Sequence, residues 1–110
     1  MHLRSGRGSA LEPLWRHVIG SRMRRLRRHR GRTLVEISLR AGISPQYLSE
    51  VERGLKDPSS EVVAAVAGAL GTTVLELSAL AVADLRSTVR QVSGPGTASS
   101  RSGGPQLLAA

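Results

Sequence analysis

The stretch TLVEISLRAGISPQYLSEVERG, residues 33–54, decides how this chain folds. It opens on Thr33 with Glu36 three residues later, the pattern of a capping box. In that motif each side chain satisfies a backbone N–H that a helix start leaves unbonded. The helix so begun runs into Gly42, a residue that ends helices by taking the left-handed conformation without a Cβ clash. Ser44 then offers a second cap, and Pro45 stands in the first turn, where its missing N–H costs nothing. Gly54 stops this second helix. Two short capped helices joined by a turn of about three residues with a glycine have the sequence form of a helix-turn-helix.

The side-chain pattern supports the same reading. Ile37 and Ala41 on the first helix, Ile43 in the turn, and Leu48 with Val51 on the second can close a small apolar wedge. Ser38 is small where the two helices would cross. On a helical wheel Leu48 and Val51 point inward, while Pro45, Gln46, Ser49, Glu50 and Arg53 share an outward arc of about 140°. The arc is short, polar and begins at a helix N-terminus, as a helix reading the major groove requires. Gln46 can pair with the N7 and N6 edge of adenine, and Glu50 can accept from cytosine N4. Ser49 serves either a donor or an acceptor. Arg53 could reach a guanine or a phosphate. Tyr47 falls opposite the arc, which favours packing at the rim, with its hydroxyl still able to reach a phosphate.

Outward from this unit, glycines and caps mark three more helices. Residues 13–30 form one, with Pro13 in its first turn and Gly31 as its stop. Trp15, Ile19, Met23 and Leu26 make its apolar face, with Leu14 and Val18 beside it. A fourth helix follows Ser59 and ends at Gly71. A fifth opens on Thr73 and Glu76, a second capping box. Its apolar residues run on through residues 81–92, where a sixth helix is allowed. No stretch alternates with period two, so strands are not expected. The fold class is all-α: a compact helix-turn-helix domain of five helices, or six. Residues 1–11 form a disordered basic arm, residues 12–80 the domain, residues 81–92 a helical extension, and residues 93–110 a flexible tail rich in Gly and Ser.

Charge is concentrated at one end. The formal net charge of the 110-residue chain is +8. Residues 1–32 hold ten arginines against one acid, whereas residues 33–90 hold five basic and seven acidic residues. Such a patch points to a polyanion. Within its densest part, RMRRLRRHRGR at residues 22–32, the wheel turns Arg24, Arg25 and Arg28 outward as a source of unspecific attraction. The chain has no cysteine, which excludes disulfides and Cys-based zinc sites. His2, His17 and His29 show no metal-ligand spacing and no nucleophile–base arrangement, so neither an enzyme nor a cofactor is implied. No apolar run approaches ~18 residues and no signal-peptide core is visible, so a cytoplasmic location and no membrane partner are expected.

The motif order resembles the Cro/CI-type (XRE-family) helix-turn-helix transcriptional regulators. The likeness covers residues 19 to about 80. It is carried by L-R-x-x-R-G at residues 26–31, T-L-x-E-I-S-x-R-A-G-I-S at 33–44, Y-L-S-E-V-E-R-G at 47–54, and D-P-S-S-E-V-V-A-A-V-A-G-A-L-G at 57–71. Within the family it is most similar to the actinobacterial regulators of Clp protease genes. The resemblance implies a homodimer on double-stranded DNA, bound to a pseudo-palindromic operator with the second helix of the motif in the major groove. Carried over by position, base contacts fall to Ser44, Pro45, Gln46, Ser49 and Glu50. Phosphate contacts fall to Arg32, Thr33, Arg40, Arg53 and Lys56, with Tyr47 beside them. Two departures stand out. Leu34 occupies a place where many members carry a phosphate-directed Gln, and Pro45 replaces a frequent polar reader.

The resemblance also implies an ion pair between Arg27 and Glu52 that staples the first helix to the third. Leu80, Val82, Leu85 and Val89, with Val92 beyond them, are apolar in excess of what one small bundle needs, which suits a dimer surface. Other readings left open are an antitoxin-like or phage-type repressor, a protein-interaction adaptor that has lost DNA binding, and an RNA binder using the arginine run. The last residues, Leu108, Ala109 and Ala110, resemble the Leu-Ala-Ala ending of the tag read by Clp proteases, which would make a Clp protease a further partner. Replacing Ala109 and Ala110 with two aspartates is expected to lengthen the protein's half-life in cells, and an unchanged half-life removes the idea.

Overall fold

The computed structural model describes the backbone of residues 7–93 and the side chains of residues 11–91. The arm residue Arg4, the side chains of Arg7 and Val92, and the C-terminal Leu108, Ala109 and Ala110 lie outside the described residues. The elements are α1 (Arg7–His29), α2 (Leu34–Ala41), α3 (Pro45–Glu52), α4 (Ser60–Ala69) and α5 (Val74–Ser93), with no strand among the described residues.

Each boundary has a local cause. Thr33 accepts from the Glu36 N–H at 3.1 Å and its own N–H donates to the Glu36 carboxylate at 2.8 Å, so both halves of the capping box form. α2 ends at Gly42, whose φ of 74° is a conformation that side chains with a Cβ rarely adopt. Ser44 caps α3 by accepting from the Tyr47 N–H, and Ser59 caps α4 by accepting from the Val62 N–H.

Three boundaries differ from the sequence expectation. α1 starts at Arg7, so residues 7–11 belong to a helix and not to the arm, and Pro13 lies inside it. Proline removes one backbone bond to the preceding turn. It does not prevent good helix formers such as Ala10, Leu11 and Glu12 from extending the helix backward. Residues 81–92 form no sixth helix; they continue α5, because neither Gly nor Pro interrupts them. The second capping box is made only in part. Thr73 accepts from the Glu76 N–H at 3.0 Å, but the Glu76 carboxylate takes the hydroxyl of Thr72 instead.

The core draws on all five helices. Val18, Ile19 and Met23 come from α1, Ile37 from α2, and Leu48 and Val51 from α3. Val63, Val66 and Ala67 of α4 with Leu70 just after it, and Leu77 and Ala81 of α5, complete it. Ser38 is fully buried at the α2–α3 crossing and settles its hydroxyl on the Val35 carbonyl at 2.9 Å. α1 is the spine: it packs against α5 along one side and α3 along another, while α2 joins α3 to α4. Along α5 the contact continues past residue 80. Ala81 is buried, Leu85 packs on the core, and Asp84 accepts from Arg22 at 2.8 and 2.6 Å and from Arg25 at 2.7 Å. No single helix among the described residues is long and apolar enough to cross a membrane.

The backbones of α1 and α3 approach closely. A Cβ on Gly20 would lie 2.1 Å from the Val51 carbonyl oxygen and 3.0 Å from that of Glu52. One helical turn earlier on α1, His17 sits so close to Gly54 that a Cβ there would meet its Cα at 3.0 Å. Two turns beyond Gly20, Arg27 donates from Nε and Nη2 to the two Glu52 oxygens, each at 2.8 Å. Its remaining Nη1 donates to the Arg32 carbonyl at 3.0 Å. The two side chains are 11% and 4% exposed, so this is a nearly dry, bidentate pair. Donating to the Glu52 carboxylate raises the Arg27 pKa further above its already high ordinary value, against the opposing effect of burial.

Two substitutions test this contact. Gly20→Ala is expected to destabilise the fold by about 2 kcal/mol or more, because the new methyl meets backbone that cannot rotate away. Arg27→Ala is expected to cost about 3 kcal/mol by leaving the Glu52 charge buried and unpaired. Both are read as a fall in the denaturant midpoint at unchanged slope. A midpoint equal to that of the wild type in either variant removes the corresponding account.

Candidate nucleic-acid interface

α3 presents its polar residues in two tiers. Ser44, Pro45 and Gln46, at the N-terminal end, are exposed. Ser49 and Glu50, one turn on, are only half exposed. Ser49 is sheltered because α1 closes over that side of α3, leaving a cleft of about 200 Å³ lined by Arg24, Arg27, Leu34, Ser49, Glu52 and Arg53. The Ser44 oxygen already accepts the Tyr47 N–H at 3.0 Å, which leaves its hydroxyl hydrogen free to donate outward. Pro45 has no N–H to offer, and it fixes the first turn of α3. Tyr47 is half-buried against the core, the rim position read from the wheel.

Basic side chains come from the end of α1, from α2 and from the residues that follow α3. Arg32 and Arg40, eight residues apart in sequence, line one cleft of about 520 Å³ with His29, Arg30 and the end of α4 at residues 68–71. Glu36 lies between Arg32 and Arg40 in sequence, and its carboxylate is held below its usual pKa chiefly by the Thr33 N–H, against opposing desolvation, with lesser help from the Arg32 charge, the Thr33 hydroxyl and the Arg40 charge. Because the Thr33 N–H is committed to Glu36, what remains of Thr33 for a phosphate is its hydroxyl hydrogen. Arg53 is exposed at the C-terminal end of α3, and Lys56 is exposed in the loop that follows. Leu34 packs on the core and makes a wall of the smaller cleft.

The structure thus gathers Ser44, Gln46, Ser49 and Glu50 on one helix and joins Arg27 to Glu52. Arg32 and Arg40 share one cleft, and Arg53 opens on another. The residues expected to form a dimer surface do not behave alike. Leu80 and Val89 are 39% and 40% exposed, but Val82 and Leu85 are half-buried, and Leu85 serves the core of its own chain. Leu80 also borders a groove of about 460 Å³ with Leu26, Arg30, Thr72, Glu76 and Ala79.

Sequence reasoning missed the partner of Arg22 and Arg25. The signal was present: Asp84 is the one acidic residue after Glu76. Which arginines it meets depends on how α1 and α5 cross, and no local pattern encodes that crossing. Arg25 is therefore not a free outward charge, whereas Arg24 and Arg28 have no carboxylate within ion-pair distance among the described residues.

This geometry agrees with comparisons to known proteins. The helix-turn-helix family model matches residues 23–77. The chain is 51% identical over 57 residues to the transcriptional regulator ClgR of Mycobacterium tuberculosis, covering 52% of this chain and 51% of that protein. The chain thus spans about half the length of that relative. It is 44% identical over 62 residues to the HTH-type transcriptional regulator y4dJ of Sinorhizobium fredii, covering 56% of this chain and 80% of that one. The crystal structure of the clp gene regulator ClgR from Corynebacterium glutamicum superposes with a TM-score of 0.69 at 40% identity, covering 74% of this chain and 86% of that one. With the capped helix pair, its buried wedge and the matched span in agreement, the chain belongs to the XRE-type helix-turn-helix family.

Proposed function

We propose that this chain is a sequence-specific DNA-binding transcriptional regulator that inserts α3 into the major groove. The observation that carries this reading is the exposed polar N-terminal end of α3, Ser44 to Gln46, on a helix whose other end is pinned to α1 by Arg27 and Glu52. A reader of base edges needs such a rigid mount, because hydrogen-bond discrimination is lost if the helix can tilt. Gln46 and Glu50 discriminate bases, with Ser44 and Ser49 as adaptable partners. Arg32, Thr33, Arg40, Arg53 and Lys56 contact phosphates and supply register and a steep salt dependence. Tyr47 contributes by packing and by its hydroxyl.

The finer reading has three parts. The protein acts as a homodimer on a pseudo-palindromic operator, using Leu80 and Val89 at the exposed edge of α5, with Val82 beside them. It controls Clp protease genes, which is supported by the likeness to two proteins named ClgR, one of them described as a clp gene regulator. A Clp protease is a partner through Leu108, Ala109 and Ala110.

Selection of genomic fragments with the purified protein tests the whole reading. It is expected to return a motif of two half-sites about 10 base pairs apart, or a multiple of that spacing. Gln46→Ala is expected to relax one position of each half-site by about 1–3 kcal/mol while leaving unspecific binding in place. Recovery of no motif, or a motif that Gln46→Ala leaves unchanged, would overturn base reading by α3.

A further inference from the structure

The small cleft between α1 and α3 has a feature that base reading does not use. Its lining residues include three arginines, Arg24, Arg27 and Arg53, against one acidic residue, Glu52. Arg27 and Glu52 neutralise each other as the bidentate pair that forms part of the lining. The Arg24 and Arg53 side chains are both exposed, and among the described residues neither has a carboxylate within ion-pair distance. Arg24 stands three residues before Arg27 and so shares its face of α1. The cleft also includes Ser49, so it opens beside the helix that carries the readout arc. Its volume of about 200 Å³ is below the range of roughly 300–1,000 Å³ usual for small-molecule sites. It therefore suits a single tetrahedral anion presented from outside better than an enclosed ligand. A guanidinium fork matches two oxygens of such a group.

We infer that Arg24 and Arg53 clamp one DNA backbone phosphate in the cleft between α1 and α3, which makes α1 a positioning element on the duplex and Arg24 its contact residue. The inference rests on the DNA-binding reading above and deepens it. It separates Arg24 from Arg28, an exposed arginine of the same run that lines neither this cleft nor the larger basic one. A phosphate held here would sit at the seam that Gly20 and Arg27 keep closed, so its position relative to α3 would be rigid.

The test uses the full chain and the operator recovered by selection. Arg24→Gln is expected to lower the slope of log affinity against log salt by about one and to weaken binding about tenfold at fixed salt. Arg24→Lys keeps the slope, because the charge remains, and Arg28→Gln leaves both quantities near the wild type. Neutral methylphosphonates placed singly along the operator backbone are expected to show one position that weakens the wild type clearly more than it weakens Arg24→Gln, in which Arg53 alone still meets that phosphate. Equal losses in Arg24→Gln and Arg28→Gln would mean that both act only through the general field, and would overturn the clamp. So would a set of methylphosphonate effects that Arg24→Gln leaves unaltered. Failure of the wild type to bind any DNA is distinguishable from both and overturns the DNA-binding reading together with the clamp.

Discussion

The bidentate contact of Arg27 with Glu52 is the constraint on which the rest of the structure depends. Glu52 is the last residue of α3, so holding its carboxylate holds the C-terminal end of the helix whose N-terminal end is exposed. A nearly dry carboxylate would be costly alone, and the guanidinium both cancels its charge and bonds each of its two oxygens. The third donor of Arg27 reaches the carbonyl of Arg32, just ahead of the Thr33 cap. One side chain thus sets where α3 ends and where the chain turns into α2. Gly20 permits this by letting α1 lie directly on the final carbonyls of α3. The ion pair and the missing Cβ are two parts of one close approach.

That approach also explains how the arginine-rich end of the chain is used. Seven arginines within residues 22–32 invite the view that they form one polyanion-binding surface. The packing divides them. Arg27 faces α3, while Arg22 and Arg25 face α5 and share Asp84. Arg30 and Arg32 open on the larger basic cleft, and Arg24 opens on the smaller. A helix that must pair with two neighbours on different sides turns consecutive arginines toward different partners, at about 100° per residue. Run length in the sequence is therefore a poor guide to the charge available for a ligand, and direction around α1 is the better one.

Much of this was legible beforehand. The helices of the motif, their caps at Thr33 and Ser44, the stop at Gly42, and the inward set Ile37, Leu48 and Val51 are local features, decided within a few residues. The outward arc of α3 was legible because an eight-residue helix has only one orientation that buries Leu48 and Val51. The start of α1 was not. Pro13 carries a strong local signal, and the residues before it carry a weak one that the same rules permit either way. The partial capping box at Thr73 was misread for a comparable reason: the Glu76 carboxylate has two hydrogen-bond donors within reach, and the neighbouring Thr72 hydroxyl took it. The extension at residues 81–92 read as surplus apolar surface, yet Ala81 and Leu85 are used within the chain.

The division follows from the range of the forces involved. Caps, stops, amphipathic period and the polar arc of α3 arise from interactions between residues at most four apart, so the sequence by itself determined the helices of the motif and the family they spell. The partners of Arg22, Arg25 and Asp84, the shelter over Ser49, the shared cleft of Arg32 and Arg40, and the need for glycine at position 20 arise where helices cross. Those distances depend on how the whole core packs. Only the tertiary structure decided them, because the pairs involved are brought together by burial of side chains elsewhere in the bundle and not by any pattern of their own.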